Sequence, residues 1–256
     1  MNRSRAALAL AVSLTLSAAS LRADDAATIH VSVAASFRDV IDAIAASFRK
    51  EHPQATVTLN YGGSGMLARQ IEDGAPVDVF LSAGWPEIER LKEKGLVAGE
   101  PVVVARNRLV VVVPQGSPWI GKPPREALVS PETKRIALGD PASVPFGAYA
   151  KQALTAVGLW EVVAAKAVYA ADVRQALAYA DAGEVGAAVV YATDARVAKT
   201  AQLLGEVPGA DGLHIEAPAV RTTHGTNPVA QEFLAYLTGP TARAALAAQG
   251  FIVPPP

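Results

Sequence analysis

The feature that most constrains the fold is a repeated switch in hydrophobic period, from strand-like runs to helical spacing and back. Residues 28–34 read as a buried strand, with Ile29, Val31 and Val33 apolar. Phe37, Val40, Ile41, Ile44 and Phe48 then recur at the spacing of one helix face over residues 37–50. The alternation continues with a strand over 56–61, a helix over 66–72, a strand over 77–82 and a helix over 87–94. Gly95 stands just past that last helix, where a residue with positive φ is favoured. Strands alternating with helices in this way predict an α/β fold with a largely parallel sheet.

The pattern restarts at a Val-rich strand over 109–114, followed by a Pro/Gly loop over 118–124. Strands over 135–138, 166–169 and 187–191 flank helices over 146–157 and 173–182. Residues 206–217 read as a surface loop, and 228–237 with 241–249 as a helical tail. Two such units in 256 residues predict two lobes with a cleft between them. Ligands of open α/β sheets bind beyond the carboxyl ends of the strands, so the loops after the strands are where chemistry is sought.

Bulk composition narrows the function classes. Hydrophobic residues make up 51% and charged residues 18%, which excludes a mostly disordered chain. The formal net charge of -1, with no basic stripe, argues against a nucleic-acid surface. Cysteine is absent, which removes disulfides and thiol chemistry. Arg3 and Arg5 precede an apolar run over 6–19 and then small residues, the layout of a secretory signal peptide. Cleavage is expected after Ala23. The run falls short of the roughly 20 residues of a spanning helix. No membrane insertion is therefore expected once residues 1–23 are removed. The four histidines show no metal-ligand spacing and no HExxH pattern.

Four strand-to-helix turns share donor chemistry. Ser36 follows the first strand and Ser64 the second, the latter inside Gly62-Gly63-Ser64-Gly65. Phe146 follows Pro145 at a helix start, and Val173 follows Asp172 at another. A helix N-terminus offers unpaired N–H groups and a partial positive charge, so it favours an anion without a cationic side chain. Each element alone also has an ordinary structural role. Either serine reads as a plain N-cap, Asp172 as a cap residue, and Pro145 as a common first helical residue. The convergence of several on one cleft is what would make an anion site.

The segments VSVAASF, GGSGMLARQIEDGAPVDVFLSA, GDPASVPFGAYAKQAL, ADVRQALAYADAGEVGAAVVYATDA and QGFIV resemble the periplasmic molybdate-binding proteins of ABC transporters. The resemblance runs from Ile29 to Val253. It implies a two-lobed type II periplasmic binding protein, each lobe a mostly parallel sheet flanked by helices. Lobe 1 would comprise 28–107 plus 219–256 and lobe 2 would comprise 108–218, with crossings near 105–109 and 218–222. Carried over by motif, Ser36 and Ser64 would donate through hydroxyls. Phe146 and Val173 would donate through backbone N–H groups, and Tyr191 through its phenol. Phe37 stands where the family usually has Leu, and Phe146 where Ala is common.

The resemblance further implies molybdate or tungstate as ligand, molybdenum or tungsten entering only as that oxyanion, and no cofactor. It implies a periplasmic monomer that hands its ligand to a membrane permease of an ABC importer. Receptors for sulfate or phosphate are the alternative within the binding class. A serine hydrolase using Ser36 or Ser64 with His224 is a different class, but no nucleophile-elbow pattern surrounds either serine. The sensor domain of a transcription regulator can share this fold, but no DNA-binding helix pair precedes it. The chain is therefore expected not to be an enzyme.

Overall fold

The computed structural model describes residues 27–255. The signal peptide expected over 1–23 lies outside the described residues. Two five-stranded sheets organise the chain. The first has the order β2-β1-β3-β10-β4, from β1 (Ala27–Ala34), β2 (Ala55–Gly62), β3 (Val79–Leu81), β4 (Val97–Asn107) and β10 (Ile215–Thr222). The second has the order β7-β6-β8-β5-β9, from β5 (Leu109–Val113), β6 (Ile136–Gly139), β7 (Ala167–Ala170), β8 (Ala187–Tyr191) and β9 (Gln202–Glu206).

Helices α1 (Arg38–Glu51), α2 (Ser64–Glu72), α3 (Trp85–Glu93), α9 (Val229–Tyr236) and α10 (Pro240–Ala248) accompany the first sheet in the chain. Helices α4 (Pro124–Val129), α5 (Pro145–Ala156), α6 (Trp160–Ala164), α7 (Val173–Asp181) and α8 (Ala192–Ala195) accompany the second. The two-lobed α/β architecture follows. Both sheets are mixed rather than mostly parallel: β1, β2 and β3 run parallel, as do β6, β7 and β8, and an antiparallel pair completes each sheet.

β4, β9 and β10, which pair antiparallel with their neighbours, are concealed in the hydrophobic pattern, whereas the antiparallel β5 is legible as the Val-rich run. β4 carries Gly99 at φ 86 and Pro101, residues that read as turn, and β10 carries Pro218. Their ladder absorbs these through register shifts at Ala217/Pro218 and Ala219/Arg221. A proline without an N–H is tolerated at such a bulge. The chain passes from β4 to β5 through Arg108 alone and returns between Glu206 and Ile215. That return falls a few residues before the 218–222 crossing read from the sequence.

Packing ties the helices down around buried aromatic rings. Phe48 of α1 meets Phe233 and Tyr236 of α9 edge-on at 5.1 and 5.2 Å, and Phe37 stacks on Phe251 at 4.4 Å. Full burial of each such ring stabilises the fold by roughly 2–3 kcal/mol. The Phe37–Phe251 stack fixes the chain's C-terminal segment against the turn that carries Ser36. Trp85, which reads from its neighbouring proline as loop packing, opens α3 instead, and its indole N–H donates to Glu216 Oε2 at 2.9 Å.

Candidate anion site between the sheets

Strands β1, β2, β3, β6, β7 and β8 aim their carboxyl ends at one small cavity. From the first sheet come Ala34–Ser36 after β1, Gly62–Ser64 after β2 and Ala83 after β3. From the second come Val144–Phe146 beyond β6, Asp172 and Val173 beyond β7, and Tyr191 at the end of β8. The five residues singled out in the sequence thus line one space. The cavity volume is about 20 Å³, against the roughly 10–15 Å³ that one water needs. A compact group of a few atoms fits there, and an extended organic molecule does not. A groove of about 760 Å³ beside α5 and α6 is larger but open. It lacks the convergent helix starts.

Neither serine is the N-cap that its sequence context suggests. The cap positions are Ala34, ahead of a 3-10 turn over Ala35–Phe37, and Gly63, ahead of α2, and neither makes a side-chain cap bond. Ser36 is 4% exposed and its hydroxyl has no hydrogen-bond partner. Ser64 is 1% exposed, and its Oγ accepts the N–H of Ala83 at 3.0 Å. A hydroxyl that already accepts keeps its own proton for another acceptor. Both serines are therefore spare donors.

The two helix starts of the second sheet work differently. α5 begins at Pro145 with no side-chain cap, so the N–H of Phe146 precedes the first intrahelical bond. α7 is capped by Asp172, whose Oδ1 accepts the N–H groups of Arg174 at 2.8 Å and Gln175 at 3.0 Å. This bears out the structural reading of Asp172 and leaves the N–H of Val173, ahead of both, uncapped. Asp172 is also the one carboxylate of the lining, with Oδ1 engaged by these two N–H groups.

Tyr191 is 2% exposed, and its hydroxyl donates to the Ala83 carbonyl over a long 3.4 Å. Burial raises its phenol well above the ordinary value, and Tyr149, Asp194 and Glu87 add to this. The phenol is thus a neutral donor at any physiological pH. Phe146 packs edge-on to it at 6.2 Å. The Phe146 side chain is 2% exposed and also lies against Gly139, so the large residue braces the tyrosine rather than standing at the cleft rim. No cationic side chain lines the cavity.

Sequence reasoning missed Ala83, whose main chain serves both Ser64 and Tyr191 and whose side chain carries no signal. It also missed the use of the Gly-rich turn in sheet-to-sheet contact. A Cβ on Gly65 would collide with the Ser143 carbonyl, and one on Gly63 with the Ala171 carbonyl, both across the cleft. His224 is at the wrong end for catalysis. It follows Thr222, whose N–H bonds the Asp78 carbonyl at the opposite end of β3 from Ala83. Neither serine therefore has a histidine base.

Residues 29–252 match the family described as bacterial extracellular solute-binding protein. The chain is 32% identical over 228 residues to the molybdate-binding protein ModA of Haemophilus influenzae, covering 88% of this chain and 90% of that one. It is 37% identical over 181 residues to a putative ABC transporter substrate-binding lipoprotein, YvgL, of Bacillus subtilis, covering 70% and 68%. The solved structure of the Azotobacter vinelandii periplasmic molybdate-binding protein superposes with a TM-score of 0.78 at 27% identity, covering 89% of this chain and 100% of that one. With this match over nearly all the described residues, the chain belongs to the bacterial extracellular solute-binding proteins.

Proposed function

We propose that the protein captures molybdate, and tungstate with it, in the cavity between the sheets and delivers the anion to the membrane permease of an ABC importer. The observation that carries this reading is the convergence of neutral donors from five strand ends on a space too small for an organic ligand. Ser36 and Ser64 donate hydroxyl protons, Tyr191 turns its proton from the Ala83 carbonyl to the anion, and Phe146 and Val173 donate N–H groups. Hydrogen bonds to a charged partner contribute roughly 1.5–3 kcal/mol each. Several together offset desolvation of a dianion and give micromolar binding, about −8 kcal/mol. The relatives named for molybdate support the choice of anion.

A lining whose serine, tyrosine and main-chain groups all donate disfavours hydrogen phosphate, whose O–H needs an acceptor. Sulfate is smaller and leaves donors of a rigid cleft out of reach. The lobes follow the two sheets, hinged at Arg108 and along 207–214, and close around the ligand. The mature protein acts as a periplasmic monomer after loss of residues 1–23. No helix of the described residues is long and apolar enough to cross a membrane.

Calorimetry of the purified protein with molybdate, tungstate, sulfate and phosphate tests the reading. Micromolar or tighter binding of the first two, with the others far weaker, is expected. Binding of neither metal oxyanion below ~1 mM, about −4 kcal/mol, overturns it.

A further inference from the structure

Three of the anion donors belong to elements that meet again on one guanidinium. Arg174 follows Val173 in the first turn of α7. Its Nη2 donates to Asp39 Oδ2 at 2.6 Å, and Asp39 stands in the first turn of α1, three residues after Ser36. Its Nε lies 2.5 Å from Asp194 Oδ1, and Asp194 stands three residues after Tyr191. The Asp194 contact is not an aligned hydrogen bond, since both atoms lack a partner of good angle, and burial raises the Asp194 carboxyl to about 7 against the pull of Arg174. The Asp194 side chain is 0% exposed, Arg174 is 25% and Asp39 is 44%.

Asp194 and Arg174 belong to the second sheet's half, and Asp39 to the first. Among the described residues, Arg174–Asp39 is the one ion pair that joins the two halves. The other cation nearby, Arg38, is engaged elsewhere, with its guanidinium 4.2 Å over the Tyr61 ring. Because a buried carboxylate anchors Arg174 within its own half, the guanidinium stays aimed when the halves part, and the exposed Asp39 is the arm that leaves.

We infer that Arg174 is a positioning residue for anion capture, a latch that grips Asp39 when the lobes close and so slows release of the bound oxyanion. The inference rests on the oxyanion reading above. It has an unusual sign. Asp39 is a negative charge one helical turn from a donor to an anion, so by Coulomb repulsion alone its removal tightens binding. As the closing arm of a latch, its removal loosens binding. Arg174→Gln does not separate the two, because losing a nearby cation weakens anion binding either way.

The test is release of molybdate, followed by tryptophan fluorescence on rapid mixing with a chelating competitor, in wild type, Asp39→Asn and Asp39→Glu. The latch predicts release about threefold faster in Asp39→Asn, the scale of a partly exposed pair, and recovery toward wild type in Asp39→Glu. It also predicts that added salt accelerates release more in wild type than in Asp39→Asn, since ions screen an exposed pair. X-ray scattering of the loaded proteins should show a larger radius of gyration for Asp39→Asn. Release from Asp39→Asn as slow as wild type or slower, with the ligand-free melting temperature unchanged, overturns the proposal. Arg174→Lys, which keeps the charge but not the two-way fork, must also release faster, and equal release in it overturns the proposal too. If wild type binds neither molybdate nor tungstate, the ligand reading itself has failed, and the latch with it.

Discussion

The Ala83 N–H donates to Ser64 Oγ at 3.0 Å, so a main-chain group beyond β3 orients a hydroxyl beyond β2. The bond consumes a lone pair of the hydroxyl and leaves its proton to point into the cavity. Under the proposed reading, Ser64→Ala removes a hydrogen bond to the ligand and strands the Ala83 N–H. Molybdate affinity should fall about tenfold or more, and the ligand-free protein should lose about 1 kcal/mol of stability. Calorimetry and a denaturant melt on the same sample separate the two losses. Ser36→Ala, whose hydroxyl has no partner in the fold, should cost affinity with little loss of stability.

Gly65 is a test of closure that leaves the chemistry intact. Its missing side chain lets α2 approach the Ser143 carbonyl across the cleft. Gly65 lies within α2, where alanine is favoured over glycine by about 1 kcal/mol. Gly65→Ala should therefore melt no lower than wild type without ligand, yet bind molybdate at least about tenfold more weakly. A variant that binds as tightly as wild type would show that the close approach of the two halves is not needed.

The buried phenols set an alkaline limit. Tyr191 lies well above the ordinary tyrosine value, and burial, with Glu87 next, pushes Tyr149 up to about 12. Both folded values exceed the unfolded value of about 10. The neutral phenols therefore contribute stability that is fully present below about pH 10 and lost as pH rises through the folded values. Melting temperature should decline above about pH 10, and less steeply in Tyr191→Phe. Molybdate affinity should stay flat between about pH 7 and 9, since no donor in the lining ionises there. A fall in affinity over that range would mean that a group of the site ionises there, against a lining of neutral donors.

Asp181 contributes at the acid end. Burial raises its carboxyl, but the N–H groups of Ala201, Thr200 and Lys199 outweigh this and hold it below its ordinary value. A depressed value means stability that is present above about pH 4 and lost as pH falls further. Asp181→Ala should cost about 1 kcal/mol at neutral pH, a figure reduced for solvent screening. The variant should also flatten the acid limb of a pH-melt series. Unchanged acid sensitivity would place that sensitivity in other carboxylates.

The capping pattern shows where sequence reading stops. Ser-then-helix and Asp-then-helix look alike in the chain, and both read as N-caps. Asp172 is one, because its carboxylate reaches back over two N–H groups of α7. Ser36 and Ser64 are not, because the chain enters each helix one or two residues earlier, at Ala34 and Gly63. The difference is a matter of backbone direction at the strand end, set by the sheet. The antiparallel strands β4 and β10 escaped for a related reason. Gly99, Pro101 and Pro218 break the local pattern, and only the partner strand supplies the bulges that tolerate them.

By itself the sequence determined the α/β alternation, the restart after residue 107 and which five residues to look for in one cleft. These are local or motif-borne properties, fixed by hydrophobic period and by residue type. Tertiary structure decided that the donors converge. It brought strand ends from both sheets to one cavity and let Gly63 and Gly65 close the gap. It also turned Ala83 toward Ser64 and Arg174 toward Asp39. Those contacts join residues 19 to 135 positions apart. Proximity of that kind is a property of sheet order and packing, which no local pattern carries.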